Sequence, residues 1–249
     1  MVQVPQRTAL SGPTLIRLLA RLTDADVPDN RQSLSDRLSQ WLGWTDAITL
    51  SSALNGNPPV VASDARAAAR AAQSECARVR AALTNAIADE SVFAALEQRG
   101  PAQAFAQGNT ADVSVDYSVF RQRYLFMQRE METAVGNLRE RLRVVLAARS
   151  PEMGRLAMVD AVMERALSPR EQSLLAAVPA LLAKYFERLS QASQATPADG
   201  DVDASGVAEA RTSRAWLDGF RKDMQSALLA EMEVRFQPVE GLLAALRAC

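Results

Sequence analysis

VDYSVFRQRYLFMQREMETAVGNLRERLRVVLAAR, residues 115–149, decides the fold class. Its large apolar side chains are Phe120, Tyr124, Met127, Met131, Val135, Leu138, Leu142 and Leu146, separated by 4, 3, 4, 4, 3, 4 and 4 residues. Only a helix of about 3.6 residues per turn places that series on one face. The spacing is close to an eleven-residue repeat, so the helix should be nearly straight or weakly right-handed. At ~1.5 Å per residue it would run roughly 50 Å. A compact chain of this size has a diameter of roughly 46 Å. The expectation is an all-α, elongated bundle, unless this helix bends near Gly136.

Upstream, Ser63 reads as the cap of a helix running to about Glu90. Its stripe of Ala65, Ala69, Ala72, Cys76, Val79, Leu83 and Ala86 has heptad spacing and small residues, which allow close helix approach. The two stripes can cover each other if they lie antiparallel across the loop from Gly100 to Asp112. The longer helix would then overhang by roughly 10 Å, at its Arg139–Arg143 end or at its Phe120 end.

Punctuation supplies the other elements. Ser11-Gly12-Pro13 opens a helix carrying Leu15, Leu18, Leu19 and Leu22. Asp29 and Gln32 have capping-box spacing ahead of Leu34, Leu38, Trp41 and Ile48, with Gly43 bending or dividing that segment. Asn55 to Pro59 stops it, and Ser91 to Gln98 reads as a short helix. Ser150-Pro151 starts another, with proline at its tolerated first position. Ser168-Pro169-Arg170-Glu171 reads as a further start, and Pro179 should kink the helix that follows. Gln194 to Gly206 is a polar linker. A last helix carries Trp216, Phe220, Ala227 and Leu228 and should break at Pro238, before a tail from Leu242 to Leu246. About seven helices result. They group as an N-terminal pair (1–57), a long-helix core (58–195), an acidic linker (196–206) and a C-terminal helix (207–249), in one domain overall.

Composition narrows the chemistry. Hydrophobic residues make up 48% of the 249, yet only three Trp, three Tyr and seven Phe are among them. The rest is rich in alanine and leucine, the strong helix formers. The absence of histidine removes the commonest general base and metal ligand, and with it Ser-His-Asp, Cys-His and HExxH chemistry. No phosphate-binding glycine loop is present, and no carboxylate pair singles itself out. The chain therefore reads as a non-enzyme without cofactor or metal. Net charge is −1, from 28 basic and 29 acidic residues, which argues against nucleic acid or an anionic membrane as partner. The longest apolar run, Leu174 to Ala183, is too short to span a bilayer. Cys76 and Cys249 make no disulfide framework, and the N-terminus has no signal-peptide pattern, so a cytoplasmic location is expected.

Three features invite sharper readings. Asp199-Gly200-Asp201-Val202-Asp203 has calcium-loop spacing, but Ala204 and Ala210 stand where glycine and a bidentate glutamate belong. The 115–149 helix carries seven arginines, and Arg139 repels Arg143 at four residues' separation. Either neighbouring helices supply acids, or Arg139, Arg141 and Arg143 meet a partner. Tryptophans are core residues first, with Trp41 and Trp44 kept as candidate partner contacts.

Residues 14–54, TLIRLLARLTDADVPDNRQSLSDRLSQWLGWTDAITLSSAL, and residues 156–189, LAMVDAVMERALSPREQSLLAAVPALLAKYFERL, resemble the Gram-negative bacterial family named domain of unknown function 3348. The resemblance brings no catalytic or binding residues. It implies an accessory to an envelope complex of a proton channel and an OmpA-like protein. The functional expectation is a helical adaptor with a helical or acidic protein partner, or a homo-oligomer. The alternative is a nucleic-acid- or ligand-responsive regulator using the arginine-bearing helix.

Overall fold

The computed structural model describes residues 14–23, 32–56, 65–91, 116–195 and 205–248. They form α1 (Thr14–Thr23), α2 (Leu34–Trp41), α3 (Trp44–Asn55), α4 (Ala65–Ala88), α5 (Tyr117–Ala147), α6 (Pro151–Leu175), α7 (Val178–Ala195) and α8 (Ser205–Ala248). No strand occurs among the described residues, and the fold is all-α.

The centre is α5. All eight residues of its apolar series are buried, from Phe120 to Leu146. Asp116 caps it by accepting from the Ser118 amide at 2.9 Å, which meets one of the orphan N–H groups of a first turn. Helix α4 runs antiparallel to α5, since Arg123 reaches Ala86 while Arg141 reaches Glu75. Helix α6 is antiparallel on another side: Gln128 meets Leu175 and Arg139 meets Asp160. Helix α8 instead runs parallel to α5, pairing Tyr124 with Glu231 and Arg149 with Leu246. The expected overhang is therefore absent. Aromatic rings of α7 and α8, Phe186 and Phe220, close the Phe120 end, and α6 covers the arginine end.

Three prolines behave differently from the sequence reading. Pro169 lies inside α6 and Pro238 inside α8, so neither starts nor ends a helix. Each lacks an N–H and leaves the carbonyl four residues back without its helical partner. That local cost is offset by tertiary burial. Beyond Pro238, Val239, Leu242 and Leu246 continue the buried face of α8 against α4 and α5. Pro179 does interrupt the chain, and completely: α6 ends at Leu175, and Pro179 sits in the first turn of α7.

Other boundaries follow the local code. Ser150 caps α6 by accepting from the Met153 amide, with Pro151 in the first turn. Gly43 divides the second predicted segment. Helix α2 starts at Leu34 behind Ser33, whose hydroxyl accepts from the Asp36 amide at 3.1 Å. Asp29, Ser63, Asp199, Asp201, Asp203, Cys249 and nearly all of 91–98 lie outside the described residues.

Candidate functional site

Helices α2 and α3 ride on the outside of α6. Their junction is a tight corner in which the Gly43 amide donates to Asp46 Oδ2 at 3.1 Å. A Cβ on Gly43 would sit 3.3 Å from that oxygen, so glycine suits the close approach. Helix α3 buries only Ala53, and its last residue is followed by Gly56, where a Cβ would meet Met158 Cε at 3.3 Å. Large apolar side chains nevertheless stand on its exposed side, among Thr45, Thr49 and Ser52. Trp44 is 81% exposed, and Ile48, one turn on, is 51% exposed. Among the described residues, six of the nine exposed large hydrophobics lie on α3 and α6: Trp44, Ile48, Leu54, Leu156, Met158 and Leu174.

The core expectation for tryptophan thus divides. Trp216 packs edge-on against Phe186 at 5.1 Å. Trp41 is half-buried under the Arg170 guanidinium, 4.7 Å from its ring centroid. Trp44 is out in solvent, because the Gly43 corner turns it away from α6.

Beside Trp41 a cleft of about 420 Å³ opens between α2, α5, α6 and α8. Val135, Leu167, Leu174 and Val234 line it, together with Arg139, Arg170, Arg235, Glu132, Glu164 and Glu171. Glu164 is held by Arg139 and Arg143, Glu171 stands 3.5 Å from Arg235, and Glu132 accepts from Gln172. Below the cleft is a buried polar cluster the sequence reading missed. Glu231 is fully buried and accepts from Tyr124 at 2.9 Å, from Gln128 at 3.0 Å and from Arg235 at 2.9 Å. Gln128 also donates to the Leu175 carbonyl at 3.1 Å, which Pro179 deprives of a helical donor. A signal existed: Glu231 and Arg235 occupy positions of the buried α8 row of Phe220, Met224, Leu228 and Val239.

The arginines of α5 are mostly engaged within the chain. Arg139 makes two bonds to the Asp160 carboxylate, at 2.9 and 2.7 Å, and Arg143 bonds Asp160 at 3.0 Å and also Glu164. Burial by itself disfavours the Arg143 charge, but the Glu164 and Asp160 carboxylates outweigh it and hold its pKa above the ordinary value. Arg141 is exposed and reaches Glu75 of α4. Other arginines close helix ends. Arg123 donates to Ala86 in the last turn of α4, Arg149 to Leu246 of α8 at 3.0 Å, and Arg188 to Leu22 of α1 at 2.6 Å. Terminal carbonyls lack intrahelical donors and carry partial negative charge, so a guanidinium suits them twice over.

All three tyrosines are shifted upward. Burial raises Tyr117 to about 12. Burial, helped by the bond to Asp223, raises Tyr185 to about 12. Burial and then Glu231 push Tyr124 higher still. Burial also raises the Cys76 thiol, which points to a core residue and not a nucleophile. No described helix is long and apolar enough to cross a membrane. Among the described residues no group of three His, Cys, Asp or Glu side chains could hold a metal ion.

The family described as Protein of unknown function (DUF3348) matches residues 1–248. No curated protein and no solved structure matches the chain.

Proposed function

The chain belongs to this family of unknown function, and we propose that it is a helical adaptor that binds a protein partner through the outer face of α3 and α6. The observation that carries this reading is the concentration of exposed apolar side chains there, led by Trp44 and Ile48. Exposed rows of that kind tend to be covered, and tryptophan is the residue most enriched where binding energy concentrates. Helix α3 itself carries one charged residue, Asp46, which is spent on the Gly43 amide. A partner would be recognised there by apolar packing and not by charge.

The reading through the arginine-bearing helix has less support. Arg123, Arg139, Arg141, Arg143 and Arg149 all have acceptors inside the chain. Arg139, Arg141 and Arg143, the closest-spaced arginines of that helix, are paired with acids of the chain, which lowers the positive charge there that a nucleic acid would need.

The test is purification of the tagged protein from its own host, alongside the double variant Trp44→Ala/Ile48→Ala. Proton-channel and OmpA-like envelope proteins, the partners expected from the family resemblance, are the first to look for. A specific co-purifying protein should be lost in the variant while helix content is unchanged. Equal recovery with both proteins would remove the reading.

A further inference from the structure

We propose that the cleft between α2, α5, α6 and α8 is a binding site for a small organic carboxylate with an apolar body, with Arg170 as its anion ligand. The proposal is independent of the adaptor reading, because Trp41 and Arg170, and not Trp44 and Ile48, carry it.

The charges around the cleft separate into engaged and available. Arg139 and Arg235 are fixed by Asp160 and Glu231, through bonds of 2.7 and 2.9 Å. Arg170 is exposed and has no acid partner among the described residues. Its guanidinium lies over Trp41 instead, 4.7 Å from the ring centroid. The contact with the ring restrains the guanidinium, and its N–H donors, which no described acid engages, can donate to a carboxylate.

Arg139 and Arg143 are shared by Asp160 and Glu164, Arg235 is shared by Glu231 and Glu171, and Glu132 accepts from Gln172, so Arg170 is the lining arginine that no described acid engages. Val135, Leu167, Leu174 and Val234 supply an apolar wall, beside Ser168 and Gln237. The space beside Gly136 is open, since a Cβ there would meet nothing within 4 Å. The volume of about 420 Å³ lies in the range of small-molecule sites. A cation at the lip beside the Val135, Leu167, Leu174 and Val234 wall matches a carboxylate head on an apolar body.

The test uses the full chain carrying Trp44→Phe and Trp216→Phe, so that Trp41 alone reports. Octanoate should change Trp41 emission saturably, and octanamide, its neutral counterpart, should bind about 10-fold more weakly or less. Arg170→Gln should weaken octanoate by about 10-fold, with Arg170→Lys intermediate because it keeps charge but loses the planar fork. Arg165→Gln, at an exposed arginine of the same helix outside the cleft, should leave binding unchanged. Equal binding of octanamide, an unaffected Arg170→Gln protein, or no saturable change at millimolar octanoate would overturn the proposal. Loss of the co-purifying protein from the Trp44 variant would be unaffected by any of these results.

Discussion

Tyr124 donates its hydroxyl to Glu231 at 2.9 Å, across 107 residues of sequence, with both side chains at zero exposure. The bond fixes the middle of α5 to the middle of α8. It also makes Glu231 a buried carboxylate whose charge is answered by Arg235, itself only 8% exposed. Breaking such a pair costs more than replacing it, because the surviving charge is left in a poor solvent.

Arg235→Met alone should therefore destabilise by about 3–5 kcal/mol. Combining it with Glu231→Leu should recover a substantial part of that loss. Urea unfolding of the two single variants and the double variant measures the difference. Simple additivity of the single effects would show that the two groups do not depend on each other.

The tyrosines should titrate late. Each has a folded pKa above the ordinary value near 10, with Tyr117 and Tyr185 at about 12 and Tyr124 beyond them. A raised acid pKa means that the folded state holds the proton more tightly than the unfolded one. The stability linked to that proton is fully present below pH 10 and declines as pH rises toward 12. Tyrosinate absorbance should show no titration near pH 10 in the folded protein and an ordinary one in denaturant. Tyr117→Phe and Tyr185→Phe should each flatten the alkaline fall in stability.

Arg139 and Arg143 should behave as structural residues. Their side chains are 13% and 17% exposed and face Asp160, at 12%, and Glu164, at 26%. The double reversal Arg139→Glu/Arg143→Glu places four acids together and should cost several kcal/mol, beyond what surface pairs contribute. Adding Asp160→Arg and Glu164→Arg should restore part of the melting temperature. If the first double variant melts like the parent, the pairs contribute nothing and these arginines are again free for a partner.

Pro238→Ala should stabilise the protein by up to about 3 kcal/mol, because alanine returns the N–H that the Val234 carbonyl lacks and relieves a clash in the preceding turn. Thermal unfolding reads this directly. A loss of stability would mean that proline at 238 is required for packing Phe236 and Val239, which are 1% and 0% exposed.

Most helices and their inward faces were legible in local patterns. The series from Phe120 to Leu146 is buried in full, since a period close to that of the helix permits only one apolar face. Ser150 capped α6 as its spacing required, because a cap depends on residues within one turn. Where a judgement needed another segment, the sequence could not decide it. Pro169, Pro179 and Pro238 carry the same local penalty, yet only Pro179 divides two helices, and there Gln128 meets the carbonyl left bare. Trp44 reads like any core tryptophan until the Gly43 corner turns it outward, and Arg139 and Arg143 repel each other until Asp160 and Glu164 stand opposite. Propensities and caps act within a turn of helix, whereas burial and ion pairing belong to whichever distant helix packs alongside, and that is decided only when the bundle closes.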